Sequence, residues 1–235
     1  MKLNGARVLV AGATGAIGAA LSGELRARGA LLVLAGRDQG RLARTAEALG
    51  DARTAVFDAY DVNSCARAVK VAKEALGGLD AVVTAFGSVA FGSADETGDA
   101  IAEHLMTVNA LAPAAFFRGA LRAFDAGETI AAVTGAVVER PQPGMADYSA
   151  SKCALSAWLE AVRREAPAGI RVLEIRLGHL DTGFAGRAVA GTPPPLPPGG
   201  DLGTAVRSVA DALETDARRV RTAPDGTPFL ERQGR

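Results

Sequence analysis

The sequence predicts an α/β fold in which one parallel sheet is doubly wound, with helices on both faces. Three observations predict it. Short, wholly apolar runs alternate with helical stretches along most of the chain. A glycine triplet sits between the first such run and the first helix. The length of 235 residues suits one such sheet as a single domain spanning 1–235.

Residues 7–11 (RVLVA) read as a strand, and residues 16–28 as a helix with Ile17, Leu21 and Leu25 on one face. Residues 31–35 (LLVLA) read as a second strand, 41–49 as a helix and 54–57 as a short third strand. A helix over about 64–76 carries Cys65, Val69, Ala72 and Leu76 along one stripe, and 81–84 is a fourth strand. Two helices are expected near 97–107 and 110–124, then a strand at 129–133. Residues 146–165 form a helix whose Leu155, Trp158, Leu159 and Val162 fall at i, i+3, i+4 and i+7. A sixth strand covers 170–175 and a last helix 202–215. Strands apolar along their whole length have both faces covered, as in a parallel sheet. Repeated strand–helix–strand units take right-handed crossovers.

Residues 192–200 (TPPPLPPGG) hold five prolines, which excludes a helix interior or a central strand. The segment reads either as a rigid surface loop or as part of a substrate-covering loop at about 179–200. Residues 222–235 read as an irregular polar tail.

Lys plus Arg and Asp plus Glu both number 26, so no basic excess points to nucleic acid and no acidic run to a solvating tail. A small molecule in a pocket is the expected partner. Cys65 and Cys153 lie in no Cys-x-x-Cys pair and read as free thiols of a reducing compartment. The N-terminus lacks an apolar signal core, and the longest uncharged run, 81–94, covers 14 residues, too short to cross a membrane. A cytoplasmic protein is expected.

The loop Gly12-Ala-Thr-Gly15-Ala-Ile17-Gly18 follows a strand and opens a helix, the context that makes a glycine triplet a dinucleotide fingerprint. Glycine lets the backbone approach a pyrophosphate, and the helix N-terminus offers free N–H groups. After the second strand, Ala35 and Gly36 leave no acidic residue for a ribose 2′-hydroxyl, and Arg37 follows. A guanidinium suits a 2′-phosphate, so NADP(H) is favoured over NAD(H), although Asp38 stands next in line.

Tyr148-Ser-Ala-Ser-Lys152 opens a helix, and its i, i+4 spacing puts phenol and ammonium on one face. A nearby cation stabilises phenolate and favours a lowered tyrosine pKa. Such a tyrosine can pass a proton to a carbonyl oxygen or take one from an alcohol.

With these motifs in these places, the chain resembles the short-chain dehydrogenase/reductase family of classical length, over roughly residues 5–215. The resemblance implies a Rossmann-type fold and a nicotinamide-dependent oxidoreductase, with Tyr148 as general acid and base and Lys152 also holding the nicotinamide ribose. It implies that Asn109 kinks its helix and helps hold a relay water. It further implies that Asp61 and Val62 contact adenine, with Asp58 a competing choice, and that Gly178 and Thr182 line the nicotinamide. Pairing as a homodimer or homotetramer is the family habit.

Three departures stand out. The family's Asn-Asn-Ala-Gly is here Thr84-Ala85-Phe86-Gly87, which alters the scaffold around the adenine but keeps the final glycine; Ala85 and Gly87 are candidate cofactor contacts. The Pro-Gly after the sixth strand is Leu177-Gly178. The family's serine, thirteen residues before the tyrosine, is replaced by Gly135. Thr134, beside it, or His179 is a candidate replacement. His179 and His104 have no carboxylate spacing around them that suits a metal, so no metal is expected. Phe116, Phe117 and Trp158 read as core or interface residues, and 139–141 as the loop leading toward Tyr148.

The first functional reading is an NADPH-dependent ketone reductase acting on a small or carrier-tethered carbonyl. The second is a cofactor-binding sensor or partner subunit that has lost efficient hydride transfer, supported by Gly135. A sugar-nucleotide epimerase ranks last, because only about 50 residues follow Thr182 and such enzymes carry a larger C-terminal domain.

Overall fold

The computed structural model describes residues 1–124, 127–165 and 169–232. Its strands are β1 (Arg7–Ala11), β2 (Leu31–Gly36), β3 (Arg53–Val56), β4 (Ala81–Thr84), β5 (Thr129–Val133), β6 (Arg171–Arg176), β7 (Ala217–Thr222) and β8 (Pro228–Arg232). They form one sheet in the order β3-β2-β1-β4-β5-β6-β7-β8, parallel except for the β7–β8 pair. The helices are α1 (Ala16–Ala27), α2 (Gln39–Ala48), α3 (Val62–Leu76), α4 (Asp99–Met106), α5 (Ala112–Ala123), α6 (Ala146–Glu165) and α7 (Leu202–Glu214).

The period-2 alternation of a strand sends neighbouring side chains to opposite faces. Val8 and Val10 of β1 enter a core with Leu21 and Leu25 of α1, Leu42 of α2 and Val209 of α7. Leu9 and Ala11 enter the opposite core, with Cys65 and Val69 of α3, Phe116 of α5 and Leu155 of α6. Each fully buried leucine or valine stabilises the fold by about 1.5–3 kcal/mol. Phe116 and Phe117 are fully buried, and Phe117 stacks on the half-buried Trp158 with ring centroids 6.0 Å apart. Both cysteines are free thiols, and burial raises the Cys65 thiol to about 11.

Three expectations need correction. β3 is an edge strand, with Arg53 and Thr54 exposed, so its faces are not both covered. The segment read as an irregular tail starts at the end of β7 and includes β8, which pairs antiparallel with β7; residues 233–235 of that tail lie outside the described residues. β7 (ARRVRT) escaped notice because only Ala217 and Val220 turn to the core, while Arg219 and Arg221 pair with carboxylates. The two helices expected near 97–107 and 110–124 join through a π-helical turn, Thr107–Leu111. The joined run Asp99–Ala123 spans 25 residues and contains an 18-residue window of mean hydropathy 1.2, long and apolar enough to cross a membrane, but half of that window is buried in the fold.

The chain winds from β1 outward to β3, returns to β4, and proceeds the other way. The reversal lies between β1 and β4. In open α/β sheets the crevice at the carboxyl ends of the strands beside such a switch point is where ligands bind.

Candidate active site

The glycine loop leaves β1 at this switch point. Gly12 has φ +88°, and a Cβ there would lie 2.7 Å from the backbone nitrogen of Phe86, so only glycine fits. A Cβ at Gly18 would lie 2.2 Å from the carbonyl oxygen of Gly12, which makes Gly18 the close-packing position between helix and strand. Gly15 caps α1 without a side-chain bond. The first turn of α1, with Ile17 in it, therefore presents N–H groups and the positive end of a helix dipole. That cradle fits a pyrophosphate.

At the end of β2, Arg37 is exposed. Asp38 is committed elsewhere: it caps α2 and accepts a bond of 2.9 Å from the backbone N–H of Arg41. Arg41 reaches back from α2 and donates to the carbonyl of Thr14, in the glycine loop, at 2.8 Å. A second guanidinium thus stands at the phosphate loop. Its place one helical turn after Arg37 was the available signal, and sequence reasoning passed it over.

Asp61 is the N-cap of α3; it accepts from the N–H of Asn63 at 3.0 Å and from Arg67 at 2.7 Å. Arg67 comes first among the groups that hold its carboxyl below the ordinary range. Val62, next to it, is exposed. Asp58 lies nearer the end of β3, where its Oδ1 accepts from the N–H of Tyr60. Beside them Phe86 packs its ring on Phe57 and Phe116, with centroids 5.0 and 5.9 Å away. That aromatic cluster fills the scaffold altered in Thr84-Ala85-Phe86-Gly87.

Tyr148 and Lys152 stand one turn apart in the N-terminal part of α6. Lys152 is buried and donates from Nζ to the carbonyl of Val133, at the end of β5, at 3.1 Å. A Cβ at Gly87 would lie 3.1 Å from Lys152 Nζ and 2.9 Å from Asn109 Oδ1, so the loop after β4 runs directly against both side chains. Asn109 is fully buried within the π-turn. Its Oδ1 accepts from the N–H of Ser88 at 2.8 Å; its Nδ2 donates to the Ser88 carbonyl at 2.9 Å and to Ser151 Oγ at 3.0 Å. Asn109 therefore ties the β4 loop to α6. The extra residue of a π-turn re-aims a side chain that a regular helix would point elsewhere. His104 also holds Ser88, its Nε2 lying 2.8 Å from Ser88 Oγ, and its Nδ1 meets the hydroxyl of Tyr60.

The electrostatics differ from the expectation. Burial raises Tyr148 to about 12 and lowers Lys152 to about 8. The ammonium does not hold the phenol down, because Lys152 Nζ turns to Val133 and sits 6.0 Å from the tyrosine ring centroid.

Thr134 does not fill the place of the missing serine. Its side chain is fully buried, and its hydroxyl donates to Glu174 Oε1 at 3.0 Å. Burial alone would raise Glu174, but Arg176, Ser156 and Thr134 more than offset it and hold the carboxyl below its usual range. Gly135 has φ +88° and open space where a Cβ would stand, with only the Leu177 carbonyl within 4 Å, at 3.8 Å. A serine there would have room but a strained backbone, costing about 1–3 kcal/mol. Thr134→Val is therefore expected to leave kcat within about twofold while lowering stability by roughly 1 kcal/mol through the lost buried bond. Steady-state kinetics and urea unfolding of the same preparation check both.

Gly178 follows β6, and its N–H donates to Thr222 Oγ1 at 2.9 Å. Thr182 lies in the turn beyond; its N–H donates to the Leu180 carbonyl at 2.8 Å, and no side-chain bond is recorded for it among the described residues. His179 is half-buried and lines a cleft of about 370 Å³ with Asp181, Phe184, Pro194, Leu196 and Pro197. The loop is strapped to the segment after β4: Val189 donates to the Val89 carbonyl and Phe91 to that of Ala190, both at 2.9 Å. Among the described residues no three His, Cys, Asp or Glu side chains group as metal ligands.

Comparison with known proteins bears on the family and the fold. The sequence profile described as short chain dehydrogenase matches residues 6–192. A galactitol 2-dehydrogenase (L-tagatose-forming) of Cereibacter sphaeroides is 33% identical over 189 residues, 77% of this chain and 74% of that protein. An uncharacterized oxidoreductase of Staphylococcus saprophyticus is 27% identical over 232 residues, 92% of this chain and 96% of that one. A short chain dehydrogenase of Burkholderia cenocepacia, solved in complex with NADP, superimposes with a TM-score of 0.78 at 27% identity, over 96% of this chain and 91% of that one. The chain belongs to the short-chain dehydrogenase family and is a nicotinamide-dependent oxidoreductase acting on CH–OH or C=O groups.

Proposed function

We propose that the protein is an NADP(H)-dependent ketoreductase, or an alcohol dehydrogenase in reverse, with Tyr148 as general acid and base. The grouping of Lys152 and Asn109 around Gly87, with Tyr148 one turn before Lys152 on α6, at the same carboxyl end of the sheet as the glycine cradle, carries the reading. Gly12, Gly15, Ile17 and Gly18 would hold the pyrophosphate, and Arg37 with Arg41 the 2′-phosphate. Asp58 is better placed than the capping Asp61 for the adenine edge, with Val62, Ala85 and Gly87 nearby. Gly178 and Thr182 would face the nicotinamide. The cofactor supplies the hydride to the carbonyl carbon. Tyr148, protonated at neutral pH, gives its proton to the carbonyl oxygen, and the alcohol forms. Lys152, charged at neutral pH, is the group that can return a proton to the phenolate left behind. The Cereibacter relative, L-tagatose-forming by its name, supports a secondary alcohol and its ketone as the substrate pair. The same reading takes the protein as a cytoplasmic homodimer or homotetramer acting on a small or carrier-tethered carbonyl.

The test is cofactor oxidation by the purified protein across ketones, aldehydes and β-keto thioesters, with NADPH and NADH in parallel. Turnover is expected with NADPH at a lower KM than with NADH. Arg37→Ala and Arg41→Ala should each raise the NADPH KM by about tenfold or more and leave the NADH KM within about threefold, since each removes a charge-assisted phosphate contact. Equal effects on both cofactors would withdraw the 2′-phosphate assignment. A second reading, a cofactor-binding sensor with impaired turnover, draws on one observation: Gly135 offers no hydroxyl and that of Thr134 is spent on Glu174. NADPH binding with no turnover across the panel would favour it.

A further inference from the structure

We propose that Thr222, the last residue of β7, is a positioning residue for the loop that faces the nicotinamide. The proposal rests on the cofactor placement argued above. The peptide unit between Leu177 and Gly178 is pinned at both poles. Its carbonyl accepts from the N–H of Ala136 at 2.8 Å, and its N–H donates to Thr222 Oγ1 at 2.9 Å. The regular β6–β7 pairing ends at Arg176↔Arg221. The threonine hydroxyl therefore stands in for the next rung of the ladder and extends the sheet's hold onto the departing loop. The methyl group contributes as well, since a Cβ at Gly178 would lie 3.2 Å from Thr222 Cγ2.

One side of this clamp is the turn carrying Gly135 and Ala136, and the other is the C-terminal hairpin. The hairpin is itself braced against that turn. Arg221 donates from Nε to Glu139 Oε1 at 2.8 Å and from Nη2 to Oε2 at 2.9 Å, and it donates from Nη1 to Glu231 of β8 at 3.1 Å. β7 and β8 thus act on the active site without reaching into it. They set the plane of one peptide, and that plane sets the direction in which Gly178, His179 and the 179–200 loop leave the sheet.

Two substitutions separate the hydroxyl from the fold. Thr222→Val keeps shape and strand preference but removes the acceptor; Thr222→Ser keeps the acceptor and loses only the methyl. Binding of NADPH to the purified protein, by calorimetry, should weaken about tenfold in Thr222→Val, the order of one lost hydrogen bond, and stay within about twofold in Thr222→Ser. Amide exchange at Gly178, measured without cofactor, should quicken in the valine variant and not in the serine variant. Turnover should show a raised cofactor KM with kcat changed less. If valine and serine variants both match the parent in NADPH affinity and in Gly178 exchange, the proposal is overturned. It is also overturned if both weaken equally. A parent protein that binds NADPH but reduces no carbonyl would sink the ketoreductase reading alone, because the binding and exchange comparison still decides the role of Thr222.

Discussion

Tyr148→Phe is expected to lower kcat for carbonyl reduction by about 10³-fold, within the range by which a positioned general acid accelerates proton transfer. Phenylalanine keeps the ring and its packing in α6 and removes only the hydroxyl. NADPH affinity should therefore stay within about twofold, because ring contacts survive and Lys152 keeps its bond to Val133. The pH dependence sharpens the test. Burial holds the phenol up to about 12, so below that pH it carries the proton that reduction consumes. Lys152, lowered to about 8 by burial, is charged at neutral pH and loses its charge above that value. Reductive kcat of the parent should then be flat toward neutral pH and fall as pH rises through about 8. Alcohol oxidation needs the phenolate and should be slow at neutral pH. The variant's small remaining rate should show no such fall. A Tyr148→Phe protein with near-parental turnover at neutral pH would mean that another group protonates the substrate.

The scaffold was legible because the central strands β1, β2, β4 and β5 and the helix stripes are written mostly in apolar residues, whose burial is decided by spacing. Tyr148 and Lys152 were legible for a similar reason: an i, i+4 pair shares a face whatever surrounds the helix. What stayed hidden depends on partners far along the chain. β7 reads as polar because Arg219 and Arg221 alternate with core residues, and Glu231, Glu139, Glu160 and Glu174 make those arginines compatible with a sheet. That Asp61, a candidate ligand contact, also caps a helix shows only once α3 is seen to begin there. The hydroxyl of Thr134 could have faced the substrate; Glu174, forty residues away, decides that it does not. The expected lowering of the tyrosine pKa failed because spacing places the ammonium on the same face without fixing where it points. The carbonyl of Val133 takes it.

Lys152→Met should abolish most turnover and at the same time stabilise the protein, an opposed pair of effects that a merely structural lysine would not give. The loss follows from removing the ammonium that returns a proton to the phenolate, and reductive kcat should fall by about 10²-fold or more. The gain follows from desolvation. Lys152 is only 4% exposed, and its pKa falls from an ordinary 10.5 to about 8 on folding. Below pH 8 the lysine is charged in both the folded and the unfolded chain, and the native state carries the full cost of burying that charge. Between about 8 and 10.5 the native state gives up its proton first, so the unfolded chain binds more protons and stability rises with pH. Above that range the cost is gone. The methionine variant has no such charge, so at neutral pH it should exceed the parent by roughly 3 kcal/mol, less what the lost bond to Val133 contributed. The advantage should shrink as pH rises toward 10.5. Urea unfolding of both proteins without cofactor, at several values across that interval, measures the difference directly. Other alkaline titrations are common to the two proteins and cancel. A variant less stable than the parent at every pH would show that the bond to Val133 outweighs the buried charge. Lys152 would then be a structural anchor first, and the site would not be holding a strained cation in readiness for the phenolate.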